Sequence, residues 1–193
     1  EAELIAKEAK AKLRAVLLKA KLQDFVQAGQ VYICRFEVSN NDYFKFVYRQ
    51  RKAKLPHEGL WPEHWQAKGD SGLRFYAEGR GLHPVGGVTY QNALAYCAWR
   101  TEEWRQEVPG VRVRLPTVKE WEAAARGATE RAYPWGEEWD PDRLIFKRTD
   151  AEGSAGSRGE AAESLAGHTP ETKILHMSGN VAEWTQTPGE DDE

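Results

Sequence analysis

Met177-Ser178-Gly179-Asn180-Val181-Ala182-Glu183-Trp184 brings a glycine–asparagine turn, a carboxylate and an indole together in one short stretch. Most carboxylates in this chain sit in polar runs and read as solvated. Glu183 sits among apolar and turn residues, so its charge needs a partner. Two partners fit the residues. One is a hydrogen-bond donor or an arginine. The other is a calcium ion held by Glu183 with the backbone carbonyls of Gly179 and Val181, because calcium takes oxygen ligands from backbone and carboxylate alike. Upstream, Arg114-Leu115-Pro116-Thr117-Val118-Lys119-Glu120-Trp121-Glu122 carries a second signal. Thr117 with Glu120 three residues later is a capping box, and it starts a helix that Gly127 ends. Trp121, Ala124 and Ala125 fall on the inner face of that helix. Val111 to Leu115 alternates like a strand with one buried face.

Toward the N-terminus, residues 1–28 hold no Gly or Pro and are rich in Ala, Lys, Leu and Glu, which predicts one helix. Such a helix docks on its own domain or makes a coiled-coil or inter-domain contact. Val31 to Val38 is rich in β-branched and aromatic residues and predicts a strand. Ser39-Asn40-Asn41-Asp42 supplies capping residues for a helix reaching about Arg51, with Tyr43, Phe46 and Val47 inside. Lys52 to Gly81 is punctuated by Pro and Gly and reads as a long surface loop, the kind that often carries function. Trp61 and Trp65 lie in it and either pack the loop down or form a ligand platform. Thr89 caps a helix running to about Glu107. Asp140 to His168 is rich in Gly, Ser, Ala and Glu and reads as loop, and Thr187 to Glu193 as a fraying tail.

A chain of 193 residues, 40% hydrophobic and 30% charged, suits one well-cored soluble domain. A net charge of −3 argues against a general nucleic-acid binder. No apolar run approaches the ~20 residues of a membrane span, and no signal-peptide pattern opens the sequence. There is no phosphate loop, dinucleotide fingerprint, nucleophile elbow or paired-cysteine motif. The five histidines are scattered without zinc spacing. Cys34 and Cys97 both lie in apolar runs and read as buried small hydrophobes.

Several motifs now stand in one order: Phe36-Glu37-Val38-Ser39-Asn40-Asn41-Asp42-Tyr43, His83-Pro84-Val85-Gly86-Gly87-Val88-Thr89, Ala93-Leu94-Ala95-Tyr96-Cys97-Ala98-Trp99, Arg114-Leu115-Pro116-Thr117 with Glu120 to Gly127, Tyr133-Pro134-Trp135-Gly136, and Gly179 to Trp184. Together they resemble the formylglycine-generating enzyme (sulfatase-modifying factor) family over roughly residues 31–185. The resemblance implies an α+β fold of C-type lectin type with low regular secondary structure. It divides the chain into an added helix at 1–29 and a domain at 30–193 lacking the family's C-terminal part.

In the family's enzymes the copper-binding cysteine pair lies C-terminal to the Gly-Asn-Val-x-Glu-Trp motif, and no such pair occurs here. Cys97 matches a structural family cysteine. The resemblance implies calcium ligands at Gly179, Val181 and Glu183, with a further Asn or Asp at the place where this chain has His176. A second family calcium site expects Asn near Ile145 and looks lost. The family also includes non-enzymes, among them accessory domains beside bacterial kinases and the variable proteins of diversity-generating retroelements. The leading expectation is a non-catalytic domain binding a protein or other ligand through Trp61, Trp65 and Trp184. The runner-up is a copper- and oxygen-dependent oxidoreductase acting on a substrate cysteine, its catalytic cysteines outside this chain. A sugar-binding lectin ranks third, because no Glu-Pro-Asn or Gln-Pro-Asp motif occurs. Trp184 is expected in the core and Glu183 as its buried anchor.

Overall fold

The structure is a computed structural model, and it describes residues 11, 15–127, 131–143, 168–170 and 173–186. The expectations for the segment 144–167 with Ile145, for the tail after Gln186, and for most of residues 1–14 lie outside the described residues.

Residues 15–21 are helical, but the helix does not run on to residue 28. Phe25–Ala28 is a strand, β1, and it pairs antiparallel with β2, Val31–Cys34, with Phe25 opposite Cys34 and Ala28 opposite Val31. The two-residue turn places Gly29 at φ +63°, the first central position of a hairpin turn that favours glycine there. Tertiary packing overrides helix propensity here. Val26, Ala28 and Ile33 pack against a buried cluster of Ala124, Ala125, Ile174 and Met177. Phe25 meets the edge of Trp104 at 5.6 Å. The hairpin therefore straddles the boundary that the sequence puts at residue 29.

The strand foreseen over Val31 to Val38 is regular only to Cys34. Beyond it the chain is bonded piecemeal: Leu175 N–H donates to Arg35 O at 3.0 Å and Val85 N–H to Val38 O at 2.9 Å. Helix α1, Asn40–Lys52, follows, with Ser39 as N-cap accepting from Asp42 N–H. Its Tyr43, Phe46 and Val47 are almost fully buried, at the i, i+3, i+4 spacing of one helix face. The loop after it contains a two-residue hairpin, β3 (Gln66–Ala67) with β4 (Arg74–Phe75). Helix α2, Tyr90–Arg105, is capped by Thr89. Tyr96 from α2 and Trp65 from the loop complete an aromatic core with α1. Trp65 is 1% exposed and meets Tyr43 and Tyr76 edge-on, so it is part of the core and not of a ligand platform.

Val111 to Leu115 forms no ladder. The Thr101 hydroxyl replaces one, accepting from Val113 N–H at 2.8 Å and donating to Val113 O at 2.9 Å. Helix α3, Val118–Arg126, has the full capping box. A strap formed by residues 168–170 and 173–186 packs against α3. The Thr169 hydroxyl reaches the carbonyls of Ala124 and Ala125, and Gln186 N–H donates to Pro116 O at 2.8 Å. The architecture is α+β with small sheets and little regular structure.

Candidate functional site

The strap carries the Met177–Trp184 turn, and its backbone is unusual. His176, Gly179 and Asn180 all adopt positive φ, at +59°, +89° and +62°. Glycine takes this region freely, whereas histidine is uncommon there, so packing must hold His176. The holding group is Glu37, 139 residues earlier in the chain. Its two carboxylate oxygens lie 3.0 and 3.1 Å from His176 Nδ1, and Asn180 Nδ2 donates to Oε1 at 2.6 Å. Burial works to raise the Glu37 carboxyl. The hydrogen bond and charge of His176 and the Asn180 amide outweigh it, and Glu37 sits below its ordinary value. His176 is 5% exposed, and its Nε2 is buried with no hydrogen-bond partner among the described residues. An imidazole with one nitrogen locked by a carboxylate and the other unspent is oriented for a ligand.

Glu183 finds its partner in the indole of Trp121, whose Nε1 donates to Oε2 at 2.7 Å. Desolvation pushes the Glu183 carboxyl up to about 7, the Trp121 hydrogen bond and His176 pulling down and the Glu37 charge adding to the rise. Glu183 is an exposed residue and not the buried anchor expected from the sequence, and its bond to Trp121 lies at the surface, so solvent tempers the shift and only the upward direction is kept. Trp121, Glu183, His176, Met177 and Gly179 line a cavity of about 480 Å3.

These donors fit calcium poorly. His176 offers nitrogen where an oxygen ligand is expected, and calcium prefers six to eight oxygens. Its Nδ1 is committed to Glu37, and one Glu183 oxygen to Trp121. Among the described residues no group of three His, Cys, Asp or Glu is gathered closely enough to hold a metal.

Trp184 is not in the core. It is 47% exposed, yet fixed: Nε1 donates to Val88 O at 3.0 Å, and the ring meets Tyr90 edge-on at 5.7 Å. Trp61 is half-buried against Phe44 and Trp65. The start of α2 joins the two regions, since Asn92 Nδ2 donates to Gly59 O at 3.0 Å and the His64 ring lies against Gly87. Sequence reasoning missed Glu37 and Trp121 as members of the site. Glu37 had a signal in plain view, a lone carboxylate in an apolar run, the same property that singled out Glu183.

Cys97 is buried in α2 and desolvation pushes its thiol up to about 11; neither it nor the half-buried Cys34 forms a disulfide. Among the described residues, no helix is long and apolar enough to cross a membrane.

Residues 17–192 match the family described as the sulfatase-modifying factor enzyme 1-like domain. The match begins inside the stretch read above as an appended helix. The formylglycine-generating enzyme of Mycobacterium tuberculosis is 36% identical over 115 residues, covering 56% of this chain and 34% of that protein. The inactive C-alpha-formylglycine-generating enzyme 2 of Bos taurus is 35% identical over 107 residues, covering 53% of this chain and 32% of that protein. The serine/threonine-protein kinase pkn1 of Chlamydia pneumoniae is 33% identical over 118 residues, covering 60% of this chain and 16% of that protein. The chain thus spans about a third or less of the length of these curated relatives. With a match over nearly its whole length, this chain belongs to the sulfatase-modifying factor enzyme 1-like domain family.

Proposed function

We propose that this chain is a non-catalytic binding domain of C-type lectin-like fold. Its ligand surface runs from the loop around Gly59 to Trp61, across the start of α2, to Trp184. The observation that carries the reading is the state of Trp184: a large aromatic, 47% exposed, whose indole is pinned to Val88 O and braced by Tyr90. A fixed exposed aromatic loses little rotamer freedom on binding, and such residues dominate binding surfaces. The Asn92–Gly59 hydrogen bond supports treating the loop and Trp184 as one surface. The inactive bovine relative and the kinase relative are compatible with it.

The test is selection of binders to the purified chain from a displayed peptide library, followed by measuring their affinity for Trp184→Ala and Tyr90→Ala. Binders on this surface weaken by tenfold or more. A set of binders indifferent to both substitutions would overturn the reading.

A second reading, the copper- and oxygen-dependent oxidation of a substrate cysteine, draws its support from the mycobacterial relative. Copper would need a closely spaced cysteine pair. Cys34 stands in β2 and Cys97 in α2, so on this reading the cysteine pair lies outside this chain. Incubating the chain with a cysteine-containing peptide, copper and oxygen is expected to give no aldehyde by mass spectrometry, and an aldehyde product would replace the first reading by this one.

A further inference from the structure

The C-terminal end of α1 departs from ordinary helix chemistry twice. Leu55 N–H donates to Gln50 O and Lys54 N–H to Arg51 O, each at 3.0 Å, which is the paired bonding of a Schellman motif. The left-handed position of that motif normally takes glycine, because a Cβ is strained there. Here it is Lys54, at φ +57°. The next residue normally tucks an apolar side chain back onto the helix. Here it is Leu55, and it is 51% exposed. Both departures face one cavity of about 550 Å3, lined by Arg51, Lys52, Lys54, His57, Tyr48 and the two leucines 55 and 73. No carboxylate lines it among the described residues.

Helix-dipole stabilisation accounts for Arg49, Arg51 and Lys52, which lie in the last turn. It does not account for Lys54, which lies beyond the helix and strains the backbone. Nor does it account for the exposed leucine. Cations and apolar walls together describe a ligand with both characters. We infer that this cavity binds an acidic peptide segment carrying an apolar side chain, its carboxylates on Arg51, Lys52 and Lys54 and its apolar group between Leu55 and Leu73. Arg51 spends one nitrogen on Ser71 O, which fixes the guanidinium and leaves other donors for a carboxylate. A nucleic acid is the poorer fit. The chain carries a net charge of −3, and the Tyr48 ring is already engaged by Phe44 and by the Lys52 ammonium, so no free aromatic face is offered to a base.

This site is separate from the Trp184 surface, and one experiment distinguishes them. Fluorescence anisotropy would follow a fluorescein-labelled octapeptide of alternating Glu and Leu titrated with the full chain. The expected result is saturable binding that weakens about tenfold in Lys54→Gly. The melting temperature of Lys54→Gly is expected to rise, since glycine relieves the strain. Leu55→Ser is expected to weaken binding as well, and Trp184→Ala to leave it unchanged. The inference is overturned if the peptide does not bind, if Lys54→Gly binds as tightly as the parent, or if an octamer of deoxythymidylate binds equally well.

Discussion

Two carboxylates, Glu120 and Glu37, show how differently one fold can treat a charge. Glu120 sits at the start of α3, three residues from Thr117 and six from Arg114. Two Arg114 nitrogens lie 2.7 Å from its two oxygens, and the Thr117 N–H donates to it at 2.8 Å. The Arg114 hydrogen bonds pull its carboxyl down to about 2. Glu37 reaches its partners across 139 and 143 residues, is buried, and shares its neighbourhood with Glu183, which is pushed the opposite way. The first arrangement is local and leaves the charge partly in water. The second is assembled only by folding and has no water to fall back on. A local charge pair should therefore be a modest and pH-dependent contributor, and the buried network a large one.

The sharpest way to break this comparison is Glu37→Ala. It strands His176 in the interior and takes a partner from the half-buried Asn180, and removing one partner of a buried pair costs about 3–5 kcal/mol. Urea unfolding measures it. A loss under ~1 kcal/mol would mean the network is no more than a surface pair in effect.

Next come the tryptophans, which divide along the same line. Trp65→Ala empties the aromatic core and should cost about 3–5 kcal/mol. Trp184→Ala removes a half-exposed ring and one hydrogen bond to Val88 O, and should cost about 1–2 kcal/mol. Equal losses in the two would mean that Trp184 is as structural as Trp65, which would undercut its role as a binding residue.

Glu120→Gln sits lower on the scale, with a distinctive pH signature. A carboxyl held below its ordinary value stabilises the fold when ionised. Its contribution is fully present above its unfolded value of 4.5 and is lost as pH falls toward about 2. Allowing for partial exposure, the contribution is about 1–2 kcal/mol. The parent should lose that much more than Glu120→Gln between pH 5 and pH 2 in acid-titrated melts, and parallel curves would show that the pair contributes nothing.

What could be read from the sequence follows the same division. The capping box was legible because Thr117 and Glu120 are three residues apart, and the cap of α1 at Ser39 for the same reason. The α1 face of Tyr43, Phe46 and Val47 was legible from its spacing. The pairing of Phe25 to Ala28 with β2 was not, since its segment reads as good helix and only packing against Ile174 and Met177 favours the strand. The sequence left Trp65 open between packing and a ligand platform and placed Trp184 both in the core and on the ligand surface; the structure buries Trp65 and exposes Trp184. Indoles suit a core and a binding surface equally, and only the contacts each ring finds can separate the two. Glu183 was recognised as needing a partner, but Trp121 lies 62 residues away, and nothing local pointed to an indole N–H rather than a cation.

That last point carries the smallest effect and the finest test. If Trp121 and the Glu37–His176 pair satisfy the turn by themselves, calcium has nothing to add. Melts in excess chelator and in millimolar calcium should then coincide within error. His176→Asn restores an oxygen donor at the position where the family resemblance calls for one. Calcium should raise the melting temperature of that variant and leave the parent unchanged, because stabilisation by a ligand requires that it bind the folded state. A parent chain that melts lower in chelator would show instead that an ion draws Glu183 away from Trp121. The buried network would then be a holding arrangement for the metal and not its replacement.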